Sequence, residues 1–251
     1  MPDLISYTKE YEVNSLNINT NKRLGLFGLL GMLQDISSIH AEKLNLGMEY
    51  MIKNNSFWVL VQQKLEMNDW PHWQDTIELK TWPTKPFGKK INRIFEVYQR
   101  GIRIGRCITT YMVLDGEARK AITPKLPEVF IEKLDENKNE DILERISLPD
   151  NFTTLAQFSV RNSDLDMNNH VNNTKYSQWI LDSIPFEFHH KSVLKEFEIN
   201  FLLETHLGDS VDIQVAKIGE AKGPNVHRYF KGIRHSDQKT VFTAKLIADV
   251  D

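Results

Sequence analysis

The chain of 251 residues has a single cysteine, Cys107. That excludes an internal disulfide and a cysteine-built metal cage, and it fits a reducing compartment. Cys107 lies in the strand-like run Arg106-Cys107-Ile108-Thr109-Thr110-Tyr111, where a thiol reads as buried filler rather than nucleophile. Long apolar runs are lacking as well, and no stretch approaches a membrane span. The segment Met1 to Tyr11 carries Asp3, Lys9 and Glu10 and no apolar core, so no secretory signal is read there and a cytoplasmic location is expected. Neither sign of charge is in excess. A formal net charge of -3 gives no reason to expect a nucleic-acid partner.

What is present is ordinary for a globular chain, 41% hydrophobic and 26% charged residues. The length allows one large domain or two of common size. An extended segment is expected over Ile5 to Val13, with Asn17 to Thr20 as caps for a long helix. Leu24, Phe27, Leu30, Met32, Leu33, Ile36, Ile39, His40 and Leu44 then follow helical spacing. So apolar a helix is expected to be buried, with His40 a satisfied core or boundary histidine. Gly25, Gly28 and Gly31 within it would admit close approach of neighbouring backbone. Four strand-like runs follow, Phe57 to Leu65, Asp75 to Trp82, Lys90 to Arg100 and Ile102 to Leu114, rich in Val, Ile, Thr, Tyr and Phe. Residues 123–151 contain Pro124, Pro127, Pro149 and the charged run Glu132 to Asp141, and read as a surface linker with room for a short helix.

The second half repeats the order: a strand near Ala156 to Val160, a helix ending before Pro185, then strands over Val193 to Leu203, Ser210 to Ile218, Asn225 to Arg234 and Thr240 to Ala248. Trp73 to Leu79 lies over Leu207 to Ile213 without a gap, which sets His72 over His206 and Trp70 over Glu204. A shared order of elements with one aligned corner indicates duplication. A long helix against an antiparallel sheet, twice, is an α+β architecture.

The chemistry-bearing stretch is Asp164-Leu165-Asp166-Met167-Asn168-Asn169-His170-Val171-Asn172-Asn173-Thr174, which opens the second helix. Asn172, Asn173 or Thr174 can each cap it. Runs of Asn and Asp before helices most often serve as caps and turns. The same position suits an oxyanion site, because amides and dipole at a helix N-terminus favour negative charge. Asp166, Asn168 and His170 alternate, so an extended backbone would project them to one side. The first half offers Asn19 and Asn21 before its helix but no histidine, and Trp70 where the second half has Glu204. Chemistry is therefore expected in the second half and shape in the first. Glu204 ends an apolar strand. It is either a solvated strand-end carboxylate or, if it faces His170, a general base.

The run Asp166-x-Asn168-x-His170-Val171-Asn172-Asn173, with Tyr176, Trp179 and the Glu204 corner, resembles the acyl-acyl-carrier-protein thioesterases of plants and bacteria. Trp58-Val59-Leu60-Val61-Gln62-Gln63 also resembles that family's tryptophan strand. The resemblance implies two tandem hot-dog domains, each a long central helix wrapped by a curved antiparallel sheet. They would span residues 1–122, holding an acyl-chain pocket against Leu26 to Ile39, and residues 152–251, holding the catalytic site. It implies Asp166, Asn168, His170 and Glu204 as the catalytic set, and hydrolysis of fatty acyl-acyl-carrier-protein without metal or other cofactor. Thr205 stands where plant members often have cysteine, so a Cys-His scheme is not expected. Plant members also carry a chloroplast transit peptide, which is not read here.

On that basis the amides of Val171 and Asn172 are expected to polarise the thioester carbonyl, and Glu204 to activate water. Asp166 would either hold Asn168 and His170 or attack as a nucleophile. The expected partner is acyl carrier protein bearing a fatty acyl chain, with a homodimer left open. An acidic carrier calls for a basic dock. Lys89, Lys90 and Arg93, beside Lys85, form one candidate and Arg100, Arg103 and Arg106 another. An acyl-coenzyme A thioesterase or a non-catalytic acyl-binding protein on the same fold are the alternatives.

Overall fold

The computed structural model describes residues 5–124, 142–217 and 225–250. Contacts gather the chain into two compact units. The first holds the residues up to Ile18 together with Arg23–Glu144, the second Asn19–Lys22 and the residues from Arg145 onward. The assignment of Asn19–Lys22 to the second unit was announced by no sequence pattern. The charged run from Glu132 to Asp141 lies outside the described residues, and residues 142–152 contain neither helix nor strand.

The first unit comprises β1 (Tyr7–Glu12), α1 (Leu26–Lys43), α2 (Met48–Lys53), β2 (Ser56–Met67), β3 (Thr76–Pro83), β4 (Lys90–Gln99), β5 (Ile102–Asp115) and the short β6 (Ala121–Ile122). Its strands run β1-β3-β4-β5-β2, with β6 on β5. The second unit comprises β7 (Thr153–Ser159), α3 (Asn173–Ser183), α4 (Phe186–Lys191), β8 (Ser192–Phe201), β9 (Ser210–Lys217), β10 (Asn225–Arg234) and β11 (Thr240–Val250). Its order is β7-β9-β10-β11-β8, the same path as in the first unit. The described pairs within each unit are antiparallel. Each main helix contacts the equivalent pair of strands, α1 against β1 and β3, α3 against β7 and β9. Both units thus have the α+β arrangement read from the sequence.

Burial follows the expected periods. Leu26, Leu29, Leu30, Leu33, Ile36 and His40 are buried along one stripe of α1. On β3, Ile77 and Leu79 alternate inward with exposed Thr76 and Glu78. Phe197, Ile199, Ile213, Phe230, Phe242 and Leu246 form the corresponding core of the second unit. Each such side chain stabilises the fold by roughly 1.5–3 kcal/mol relative to exposure.

Two local expectations are corrected. Helix α1 is not capped by Asn17 to Thr20; its N-cap is Gly25, with no side-chain cap bond. The glycines also differ among themselves. A Cβ on Gly28 would run into the backbone of Asn17, so close approach does require glycine there, whereas Gly31 faces open space. Among the described residues no helix is long and apolar enough to cross a membrane.

Candidate active site

The site is built from two tight turns. The first precedes α3. Asn172 caps the helix, its Oδ1 accepting from the Thr174 amide at 3.0 Å and the Thr174 hydroxyl at 2.8 Å. Upstream, Leu165 and Val171 form an antiparallel bridge, and the Asp166 amide donates to the His170 carbonyl at 2.8 Å. The Asp166 carboxylate folds back, with Oδ1 accepting from the amides of Asn168 (2.8 Å) and His170 (3.2 Å). Asn169 supplies the left-handed residue the turn needs, at φ 61°. The run from Asp166 to His170 is therefore a closed Asx turn and not the extended segment the alternation suggested.

The second turn follows β8. The His206 amide donates to Asp209 Oδ2 at 2.9 Å, the Asp209 amide donates back to the His206 carbonyl at 3.1 Å, and Gly208 sits at φ 92°. Arg234, paired with Asp237 at 2.8 Å, donates through Nη1 to the Glu204 carbonyl at 2.9 Å. The turns are joined by a bridge between His170 and His206 and by the Val171 amide donating to the Thr205 carbonyl at 2.9 Å. Behind them Thr205, fully buried, accepts from the Tyr176 hydroxyl at 3.0 Å. Burial pushes the Tyr176 phenol up to about 12, so it stays protonated as that donor.

This scaffold sets His170 Nδ1 3.6 Å from Glu204 Oε1, both side chains partly open to solvent. His206 stands edge-on to His170 with ring centroids 4.8 Å apart. Asp166 joins the group through the backbone it holds. Asn168 is exposed, and its side chain makes no hydrogen bond among the described residues. Chemically the cluster is a carboxylate beside an imidazole, open on one side, at the head of a helix.

Two expectations fail on geometry. The amides of Val171 and Asn172 are already committed, the first to the Thr205 carbonyl and the second to the Asp164 carbonyl at 2.8 Å. A donor engaged in holding the loop cannot also receive a developing oxyanion. The amide of Asn173, first residue of α3, donates to no described group. Arg93 is also misplaced as a dock. It is 8% exposed and points at His40 Nδ1 (2.9 Å), and burial pushes its guanidinium down to about 10. Lys89 is exposed and Lys90 half-buried, so both remain at the surface. In the second basic cluster, Arg103 is taken up by Glu96 at 2.7 Å and Arg100 lies 3.9 Å from Asp75. Sequence reasoning passed over His206. Its signal was the Glu204-x-His206 spacing, since alternate residues of an extended stretch face the same way.

Comparison with known proteins accounts for most of the chain. The acyl-ACP thioesterase N-terminal domain model matches residues 5–131 and the C-terminal domain model residues 149–246. The oleoyl-acyl carrier protein thioesterase of Coriandrum sativum is 25% identical over 84% of this chain, which spans 62% of that protein's length. Oleoyl-acyl carrier protein thioesterase 1 of Arabidopsis thaliana is 23% identical over 98% of this chain and 74% of its own length. Both relatives are described as chloroplastic. Among solved structures, an acyl-ACP thioesterase from Bacteroides thetaiotaomicron superposes with a TM-score of 0.85 at 23% identity, over 97% of this chain and 98% of that one. The 12:0-ACP thioesterase of Umbellularia californica superposes with a TM-score of 0.83 at 17% identity, over 98% and 95%. These superpositions speak for the tandem hot-dog fold, and the two family models matched along the sequence show that the chain belongs to the acyl-ACP thioesterase family.

Proposed function

We propose that the protein hydrolyses the thioester of fatty acyl-acyl-carrier-protein and releases the free fatty acid. The observation that carries this reading is the Glu204 carboxylate 3.6 Å from the His170 imidazole at the head of α3, in a chain of this family. Glu204 takes a proton from water as the water oxygen bonds to the thioester carbon. The carbon–sulfur bond then breaks, and a proton returned through His170 leaves with the thiol. A separation of 3.6 Å is long for a hydrogen bond, and such contacts commonly tighten only when substrate is bound.

With the Val171 and Asn172 amides engaged, the donors left for the oxyanion are the Asn168 side-chain amide and the Asn173 amide on the first turn of α3. Asp166 acts as a positioning residue. Its Oδ1 accepts two backbone amides, which supports a role in fixing the His170 turn over a role as nucleophile. The first unit supplies the acyl-chain pocket, against α1. Exposed Lys89 with Lys90 is the dock for the acidic carrier, now without Arg93. One buried cysteine suits a reducing compartment, and the cytoplasm is the site of action we infer.

The test is thiol release across acyl lengths on carrier protein and on coenzyme A. Turnover on carrier-protein esters that falls with His170→Ala supports the reading. Binding of acyl groups without thiol release contradicts hydrolysis, and preference for coenzyme A esters contradicts the carrier.

A further inference from the structure

The side chains of His170, Glu204 and His206 each offer one ligand atom, all within 4.8 Å of one another. The His170 Nδ1 to Glu204 Oε1 distance of 3.6 Å is close to the roughly 3.4 Å between ligand atoms that zinc bonds of about 2.0–2.1 Å require in a tetrahedron. The 4.8 Å spread exceeds that spacing, so closing the set requires the His206 side chain to shift. Its side chain is exposed, while its backbone is held by the bridge to His170 and the bond to Asp209. We propose that these three residues form a binding site for a divalent transition metal of the zinc type, and that occupation of this site switches the enzyme off.

Two nitrogens and one carboxylate oxygen select zinc, cobalt or nickel over magnesium or calcium, which take oxygen shells. Three protein ligands leave a fourth position to water, the pattern of an open site. The surroundings argue for an exchangeable ion. A resident metal's histidines are usually steadied by a hydrogen bond from the second ring nitrogen, and loss of that support lowers affinity roughly 10- to 100-fold. Among the described residues neither imidazole has such a bond. The half-open setting likewise leaves the ion in exchange with solvent. The inhibitory half rests on the hydrolytic reading above: a metal on Glu204 and His170 removes the base and its partner together. The mechanism proposed above assigns His206 no proton transfer, so comparing each protein with its own metal-free rate separates metal binding from catalysis.

The experiment uses chelator-treated full-length protein and the variant His206→Gln, whose changed side chain is exposed. Cobalt(II) is titrated with its visible absorption as readout, zinc is used to displace it, and thiol release is followed in parallel. The expected result is one saturating cobalt equivalent on the wild type, displaced by zinc and weakened at least tenfold in His206→Gln. Zinc should stop wild-type thiol release over the range in which it displaces cobalt, reversibly with chelator. His206→Gln should resist zinc, measured against its own metal-free rate. Absence of a saturable cobalt spectrum, or equal affinity in the variant, overturns the site. Binding without loss of turnover overturns the inhibitory role. A protein that binds cobalt as described but never releases thiol upholds the site and refutes the hydrolytic reading instead.

Discussion

The turn before α1 and the turn before α3 are built by the same hydrogen bonds from different side chains. Asn19 Oδ1 accepts from the Asn21 amide at 2.9 Å as Asp166 Oδ1 accepts from Asn168 at 2.8 Å. Lys22 and Asn169 both sit at positive φ, 58° and 61°. Arg23 bridges to His72 as His170 bridges to His206, and the Leu24 amide donates to the Pro71 carbonyl as Val171 does to Thr205. His72 and His206 are each locked by an aspartate three residues on, Asp75 and Asp209. Where the second turn carries His170 and its corner Glu204, the first has Arg23 and a buried Trp70. One backbone device thus accepts two different sets of side chains. On the function proposed above, the turn alone is not the site, and the imidazole and carboxylate carried by the second turn are what set it apart from the first.

Several substitutions break or sharpen that contrast. The largest effect is expected in the second unit, where His170→Ala and Glu204→Gln each lower kcat about a hundredfold or more on acyl-carrier-protein esters. The equivalent change Arg23→Ala should leave kcat within about threefold, and a comparable loss there would erase the distinction between the halves. Next, Trp70→Glu, which installs the second unit's corner residue in the first, should destabilise the fold by about 3 kcal/mol or more in denaturant unfolding, because it removes a buried indole and buries a carboxylate.

Asp166 gives the third test. Asp166→Asn keeps an acceptor oxygen for the two amides, as Asn19 keeps one for the Asn21 amide in the first turn, and should retain activity within roughly tenfold, while Asp166→Ala should lose far more. Equal loss in both, with oxygen-18 from labelled water entering Asp166 in a single turnover, would make the carboxylate a nucleophile. The smallest effect is expected from Thr205→Val. It strands the Tyr176 hydroxyl in the interior and should cost about 1–3 kcal/mol of stability with little change in kcat.

The order of elements and the duplication were legible because hydrophobic periodicity is local, and the corner alignment of His72 with His206 was written in ungapped spacing. That His170 and Glu204 come together was legible in part, because both are polar residues at element ends. The direction of the backbone was not. An Asx-rich run supports an extended strand or a turn equally well, and only the bonds to the Thr205 and Asp164 carbonyls show that the amides of Val171 and Asn172 are used up inside the scaffold. Arg93 deceived for another reason. Alternation on β4 predicts one face out, but Ile91 through Phe95 are all buried because both faces of the strand are covered there. Period-two reasoning fails wherever a sheet has no solvent side.

The central claim is that His170 and Glu204 form one hydrolytic unit. The most direct measurement is kcat for thiol release by His170→Ala, Glu204→Gln and the double variant on one acyl-carrier-protein ester. Groups acting together predict a double variant about as slow as the slower single one. Losses that multiply would mean two residues working separately, and the account of the site would be wrong.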